Sequence, residues 1–476
     1  MHAFRMRLIA TKDVRERWRD GRLPWAGGMV VVLLLVALAV GFARQREARA
    51  EQTAAQAHDY EDWLKQDRRH PHDAAHQGMH AFKPGPALAI VDAGINPYIG
   101  NTVWLQAHRQ SEVKFRPAQD ATGLRRFGDL SAGWILQVLG PLLVIVLGFN
   151  AFAGEREEDI LRQTLSLGVS PRQMLTGKAL ALGACLALLL VPAGLVAAVA
   201  VVAVVAGAGA GADAGAGADA LLSFGALALG YALYLGLFAL LTLGVSAASR
   251  SSRVAITALL ALWIGQVVIA PRVLSEVSRI AYPTPTRLEF NTTLNADLKA
   301  TSDRTWMQAF GTTERWSSAV PLNQWGRALQ IDDQASYPVY DRHYGRLWDT
   351  WQRQQTLQEW SGTLLPLLAV RAYSMGMAGT DFNHHRDFTT AAEQHRRTIQ
   401  DIVSRDLVAH ADPLDHQHFA YQAGHEFWAT VPPFDYHAPR AGWALRHGWQ
   451  GLAALVVHLV LVLGFAWTAI ARQRAL

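Results

Sequence analysis

Six long apolar runs divide the chain, separated by two extended polar blocks and three short polar loops. The runs cover residues 24–43, 130–153, 179–206, 221–248, 254–270 and 448–471. Because about 20 residues at ~1.5 Å rise cross a ~30 Å hydrocarbon core, each run is long enough to span a membrane. The expected fold class is an all-α polytopic membrane protein. It has six transmembrane helices and a mainly α-helical domain formed from two insertions, 44–129 and 271–446. Ahead of the first run, residues 1–22 hold seven Lys or Arg against three acidic residues, with Phe4, Leu8, Val14 and Trp18 at helix-compatible spacings. That pattern predicts an amphipathic helix on the cytoplasmic surface. The first run reads as an uncleaved anchor, since a cleaved signal has a shorter apolar core and rarely follows so long a mixed-charge segment.

The first insertion begins rich in Ala and Gln, as if the first helix continued outward, and then breaks at Pro71, Pro84, Pro86 and Pro97. The second predicts helices around 344–360 and 388–408. Its apolar stretch 364–370 is too short to cross a membrane, being cut by Pro366 and followed by Arg371, and is expected in the domain core or against the membrane surface. Pro271 closes the fifth run. The short stretch 207–220 is a Gly/Ala loop with no Lys or Arg, and 249–253 is a tight turn.

Charge orients these segments. Arg250, Arg253, Arg472, Arg474, the loop 154–178 and the basic N-terminus fall on one side of six spans. Basic residues are retained inside and long loops escape that rule, so both termini are expected in the cytoplasm and both insertions on the opposite side of the membrane. Trp25, Trp134, Trp449 and Trp467 lie near span ends, where an indole finds apolar and polar surroundings together. Of 476 residues 51% are apolar, and mean hydropathy is positive, which excludes an ordinary soluble enzyme. The single Cys185 lies in an apolar run, so an intrachain disulfide and a Cys-based metal cluster are excluded. A net charge of +5 from scattered Arg fits membrane orientation and not a nucleic-acid partner.

The loop 154–178 carries the densest chemistry. Leu161, Leu165 and Leu167 fall near one helical face, with Glu155, Glu157, Glu158, Arg162 and Arg172 around them, and Pro171 is expected to end the helix. Gly154, Glu155, Arg156, Glu157, Leu161, Leu165, Ser166, Ser170, Gly177 and Lys178 together resemble the cytoplasmic loop of type-2 ABC permeases. The chain departs from that pattern at Asp159 and Ile160, where Gly and Thr are expected. The resemblance implies a coupling helix seated on a separate nucleotide-binding subunit, which would carry ATP and Mg. The residues assigned to coupling are Gly154, Glu155, Arg156, Glu157, Leu161, Leu165, Ser170 and Arg172. The stretches 71–84, 103–110 and 379–397 further resemble a subgroup of these permeases whose large periplasmic insertion is a domain of unknown function. That implies a bacterial inner-membrane protein with a periplasmic domain, an ATPase partner and a second copy or related permease.

No catalytic residues stand out. Gly177-Lys178 lacks the first Gly and the Ser/Thr of a phosphate loop, and His425-Glu426 lacks the second His of a zinc-protease helix. His72, His76 and His80 recur at four-residue spacing, which on a helix aligns three imidazoles for zinc or copper. Asp381, His384, His385 and His395 form a second cluster. The metal set taken forward is His72, His76, His384 and His385, against the plainer reading that these imidazoles cap helices. Some permeases of the resembling subgroup are associated with copper-enzyme maturation, which keeps a metal-handling role open. Within the spans, His458, Asn150 and Gln266 are transport-pathway candidates, with Gln137 beside them; the plainer reading is hydrogen bonding between helices. The expected function is the permease subunit of an ATP-driven exporter that binds no cofactor itself. The alternatives are a mechanical transmitter acting on a periplasmic partner and a metal-handling module.

Overall fold

Six helices carry the apolar runs: Arg22–Lys65, Ala132–Glu157, Pro171–Ala206, Ala216–Ala248, Ser252–Ala281 and Ala441–Ala471, referred to as spans one to six. This computed structural model describes residues 2–116, 130–207, 215–315, 317–411 and 421–473. Part of the predicted short loop (208–214) and Arg474 lie outside them. The chain is an all-α polytopic membrane protein.

One end of the span bundle, the near end, gathers helix α1 (His2–Arg19), the loop after span two, the 249–251 turn and the tail after span six. Helix α1 packs on the base of span three, where the predicted surface helix turns out to be half internal. Gly177 permits this: a Cβ there would lie 2.8 Å from Ile9 Cβ and 3.1 Å from the Met6 carbonyl oxygen. Phe4, Leu8 and Trp18 remain exposed on the other face.

Span five differs from expectation. Its helix runs through Pro271 to Ala281, because Gly265–Ile269 widens into a π-helical turn just before the proline. Proline lacks an N–H and its ring collides with the carbonyl four residues back, and a wider turn relieves both problems. Span two uses the same device, with a π turn at Ile135–Leu139 ahead of Pro141.

The other, far end bears the domain built from both insertions. Span one continues into it as far as Lys65. It contains helix α2 (Pro71–Gln77), a two-stranded antiparallel sheet of β1 (Met79–Phe82) and β2 (Thr102–Leu105), and three long helices. Taking helix α3 as Ile160–Ser166 in the near-end loop, the long far-end helices are α4 (Arg287–Phe310), α5 (Trp325–Ser361) and α7 (Phe382–Ala409), with α6 (Pro366–Ala378) between the last two. Trp63, Met79 and Val103 of the first insertion share one core with Trp306, Phe388 and Trp428 of the second. In water, burying each such large side chain is worth ~1.5–3 kcal/mol, so the two insertions hold each other folded.

Most of the stretch 364–370, expected in the domain core or on the membrane surface, instead opens helix α6, which enters the span bundle. Leu367, Ala369, Val370 and Tyr373 join the core of spans two, four and six. Gly230 and Gly451 open the groove, since a Cβ on either would approach Tyr373 or the Ala369 carbonyl to within 2.8 Å. Between apolar helices close contact of this kind drives association, because lipid offers no hydrophobic penalty to escape.

Candidate functional site

Residues 154–157 tie the ends of four helices together: Glu155 reaches α1 and span three, Arg156 the end of span four, and Glu157 the start of span five. The Glu155 carboxylate lies 2.9 Å from Lys178 Nζ in span three and 2.8 Å from Lys12 Nζ in α1. Asp13 lies 3.4 Å from both Lys178 and Arg17, and Arg17 donates to the Leu147 carbonyl at 2.6 Å. Lys178 is 1% exposed. The Arg156 guanidinium donates to the carbonyls of Ala247 and Ser249 at the C-terminal end of span four, and to Gln473 Oε1. Glu157 accepts from the Ser252 backbone N–H at 3.2 Å and its hydroxyl at 2.6 Å, at the N-terminal end of span five. The cation therefore meets the negative end of one helix dipole and the anion the positive end of the next. Gly154 sits close to Asn150 and Ser252.

Gly154, Glu155 and Arg156 are half-buried, Glu157 is exposed at the edge of the join, and the rest of the loop's outward surface is formed by others. Glu158, Asp159, Arg162, Gln163, Ser166 and Leu167 are exposed, Leu167 at 77%. Leu161 is buried and Leu165 half-buried, so the predicted apolar stripe splits between the core and the surface. Pro171 does not end the loop helix. Helix α3 closes at Leu167, and Pro171 begins span three behind a capping box of Ser170 and Gln173. Arg172 lies over the Trp467 ring at 4.7 Å.

Asp159 has φ +60°, a left-handed conformation in which glycine is strain-free. Its departure from the expected Gly is thus a local cost at a position whose geometry suits Gly. Asp159→Gly is expected to raise stability by up to ~1 kcal/mol, read as the thermal unfolding midpoint in detergent.

The polar groups inside the spans do not form one set. Asn150 accepts from Arg22 Nη1 at 2.7 Å at the near end. His458 Nδ1 bonds to the Ala454 carbonyl of its own helix at 2.8 Å. Gln266 lies in the π turn of span five. Gln137 belongs to a buried knot at the far end of the bundle. Its Nε2 donates to Tyr231 Oη at 3.0 Å and lies 3.3 Å from Asp92 Oδ2. Ser374 of α6 bonds to both Asp92 and Tyr231. Sequence reasoning missed Asp92, Tyr231 and Ser374, which come from three distant segments; only a lone Asp between the apolar residues Val91 and Ala93 hinted at it.

The histidines also separate. His80 lies on β1, where Asp59 accepts its backbone N–H and pairs with its ring at 2.6 Å, because Gly78 ends α2 before it. The predicted helical trio therefore fails at its third member. His384 pairs with Asp381, the residue that caps α7, and packs edge-on against Trp443. His385 faces a cleft of about 700 Å³ walled by Phe290, Tyr344, Trp348, Trp351 and Phe382. Burial, then the charges of Lys83 and Arg116, pull its imidazole down to about 3. Neither residue joins His72 and His76; among the described residues the group that converges is His72, His76 and His108.

A depressed pKa on a base has a definite sign. Below about pH 6.5 the unfolded chain takes a proton at His385 that the folded domain refuses, so this contribution to stability is full above pH 6.5 and lost as pH falls towards 3. His385→Gln is expected to remove up to ~1.4 kcal/mol per pH unit of that slope, measured by denaturation at pH 7 and pH 5.

Two family profiles match the chain. The one described as ABC-2 family transporter protein covers residues 7–330, and the one described as a domain of unknown function (DUF3526) covers residues 285–437. No curated protein matches. The first profile holds all five spans up to α4 and the whole near-end loop, and the second coincides with most of the later insertion.

Proposed function

The chain belongs to the ABC-2 family of transporter proteins, and on that premise we propose that it is the permease subunit of an ATP-driven exporter. Its near end faces the cytoplasm and a separate ATPase; its far-end domain stands in the periplasm. Two permeases, identical or related, form the membrane core. The observation that carries this reading is the join at 154–157. Movement imposed on the exposed face of α3 is passed through Glu155, Arg156 and Glu157 into spans three, four and five and into α1. ATP and Mg act on the partner, and this chain supplies the docking face and the moving helices. A partner can shift the spans only by binding their two arrangements unequally.

A second reading, mechanical transmission to the far-end domain without cargo, draws support from the spans themselves. Asn150 and His458 are occupied at one helix end or within one helix, and Gln137 closes a knot, so three of the four polar candidates in the spans are engaged within the fold. Export predicts cargo-dependent ATP hydrolysis in a reconstituted complex; transmission predicts hydrolysis that responds to a periplasmic partner.

The test is gentle purification from the native membrane with identification of what accompanies the chain. An ABC ATPase in near-equal amount is expected. Leu167→Glu is expected to weaken its retention at least several-fold while leaving the unfolding midpoint unchanged, since Leu167 supports nothing inside the fold. Absence of an ATPase under mild conditions would overturn the reading.

A further inference from the structure

We propose that the far-end domain holds a divalent transition metal on His72, His76 and His108, with Asp333 positioning His108. This goes beyond the permease reading and does not depend on it. His72 and His76 are one turn apart on α2 and share a face. Gly78, at φ +61°, ends that helix against the strand that leads to the third ligand. A Cβ at Gly78 would lie 2.3 Å from the Leu105 carbonyl oxygen, and Ala107 N–H donates to the Ala75 carbonyl at 2.9 Å. The next residue, His108, has φ +58°, a left-handed conformation uncommon for a side-chain-bearing residue. It brings the His108 ring to 4.8 Å from the His72 ring and 5.3 Å from the His76 ring.

The donor atoms have the spacing of a coordination sphere. His72 Nε2 lies 3.1 Å from His76 Nε2 and 3.3 Å from His108 Nε2, and all three fall within 4.8 Å of one another. Two imidazoles bound at ~2.0–2.1 Å to a tetrahedral zinc place their nitrogens about 3.3 Å apart. Hydrogen bonding among the rings alone serves this arrangement poorly. His108 Nδ1 pairs at 2.6 Å with the buried Asp333 carboxylate, which fixes the proton there and leaves the Nε2 lone pair aimed at His72. His72 Nε2 then meets two neighbours with a single proton or a single lone pair, whereas one cation satisfies all three nitrogens. A carboxylate behind a ligating histidine also sets the ring orientation and raises its basicity.

Three neutral nitrogen donors without sulfur suit Zn(II) or Cu(II). His76 is exposed and the other two rings are half-buried, so a fourth position stays open to water or an incoming ligand. The open site suits exchange or chemistry at the metal better than a closed structural role.

The test uses the full chain in detergent, stripped with chelator, dialysed against Zn(II) or, separately, Cu(II), and assayed for metal by mass spectrometry. About one ion per chain is expected in the unaltered protein for at least one metal. His76→Ala and His108→Ala should lose it, and His80→Ala should retain it. Asp333→Asn should weaken affinity ~10–100-fold. Because the His76 ring is exposed, its removal leaves the fold intact, which an unchanged unfolding midpoint of the metal-free protein verifies. No stoichiometric zinc or copper in the unaltered chain, or full retention in His76→Ala, would overturn the site; unchanged affinity in Asp333→Asn would remove the aspartate from it.

Discussion

Lys178→Met is expected to destabilise the near end by ~3–5 kcal/mol, the cost of breaking a buried ion cluster from one side. The Lys178 ammonium is 1% exposed, sits between Glu155 and Asp13, and lies 5.2 Å from the centre of the Phe152 ring. Methionine keeps the packing volume but leaves two carboxylates facing each other with less cation between them. Helix α1 should loosen as a consequence, since Asp13 is its buried link to span three beside the close approach at Gly177. Adding Glu155→Gln to Lys178→Met should recover part of the loss, because a neutral pair costs less to bury than an orphaned charge. Thermal unfolding of the two single variants and the double variant completes the cycle. A Lys178→Met protein as stable as the unaltered one would mean that these charges are solvated and that the join does not depend on them.

The spans were legible because their signal is bulk: a run of about 20 apolar residues declares itself whatever its neighbours do. Length and hydropathy said less about where a helix stops. Pro271 looked like the end of span five, and only the backbone reveals the π turn that lets the helix pass it. Helix α6 was correctly rejected as a span by length, yet its burial depends on Gly230 and Gly451, two residues whose partner cannot be read from their own surroundings. The near-end loop was located by its charges and motif, but sequence alone could not say which way those charges point. Their order held a clue: an Arg followed by a Glu suits the C-terminal end of one helix beside the N-terminal start of the next. The histidines failed for a different reason. A four-residue spacing proposed His80, whereas the chain turns at Gly78 and returns His108 from beyond β2. A residue so far along the chain, held in a left-handed conformation, leaves no periodic trace.

Docking and transmission occupy different faces of the same loop, so they should come apart in mutants. Arg156→Ala with Glu157→Ala removes the hydrogen bonds to the end of span four and the start of span five while leaving Arg162, Gln163 and Leu167 in place. An ATPase should therefore remain bound and keep hydrolysing ATP, while the response at the far end falls ~10-fold or more, equivalent to losing at least ~1.4 kcal/mol of coupling. The far end offers a reporter. Span six begins at Ala441, whose N–H is accepted by Asp219 in the first turn of span four at 3.2 Å, so displacement of span four should disturb its start. A cysteine introduced at the exposed Gly442 can be labelled with a maleimide, with Cys185 buried and silent. In the unaltered background ATP should change the labelling rate, and in the double variant the change should vanish although hydrolysis persists. Retention of the ATP-dependent change would route the motion through Glu155 and Lys178 alone, making span three and α1 the driven elements and the ends of spans four and five passengers.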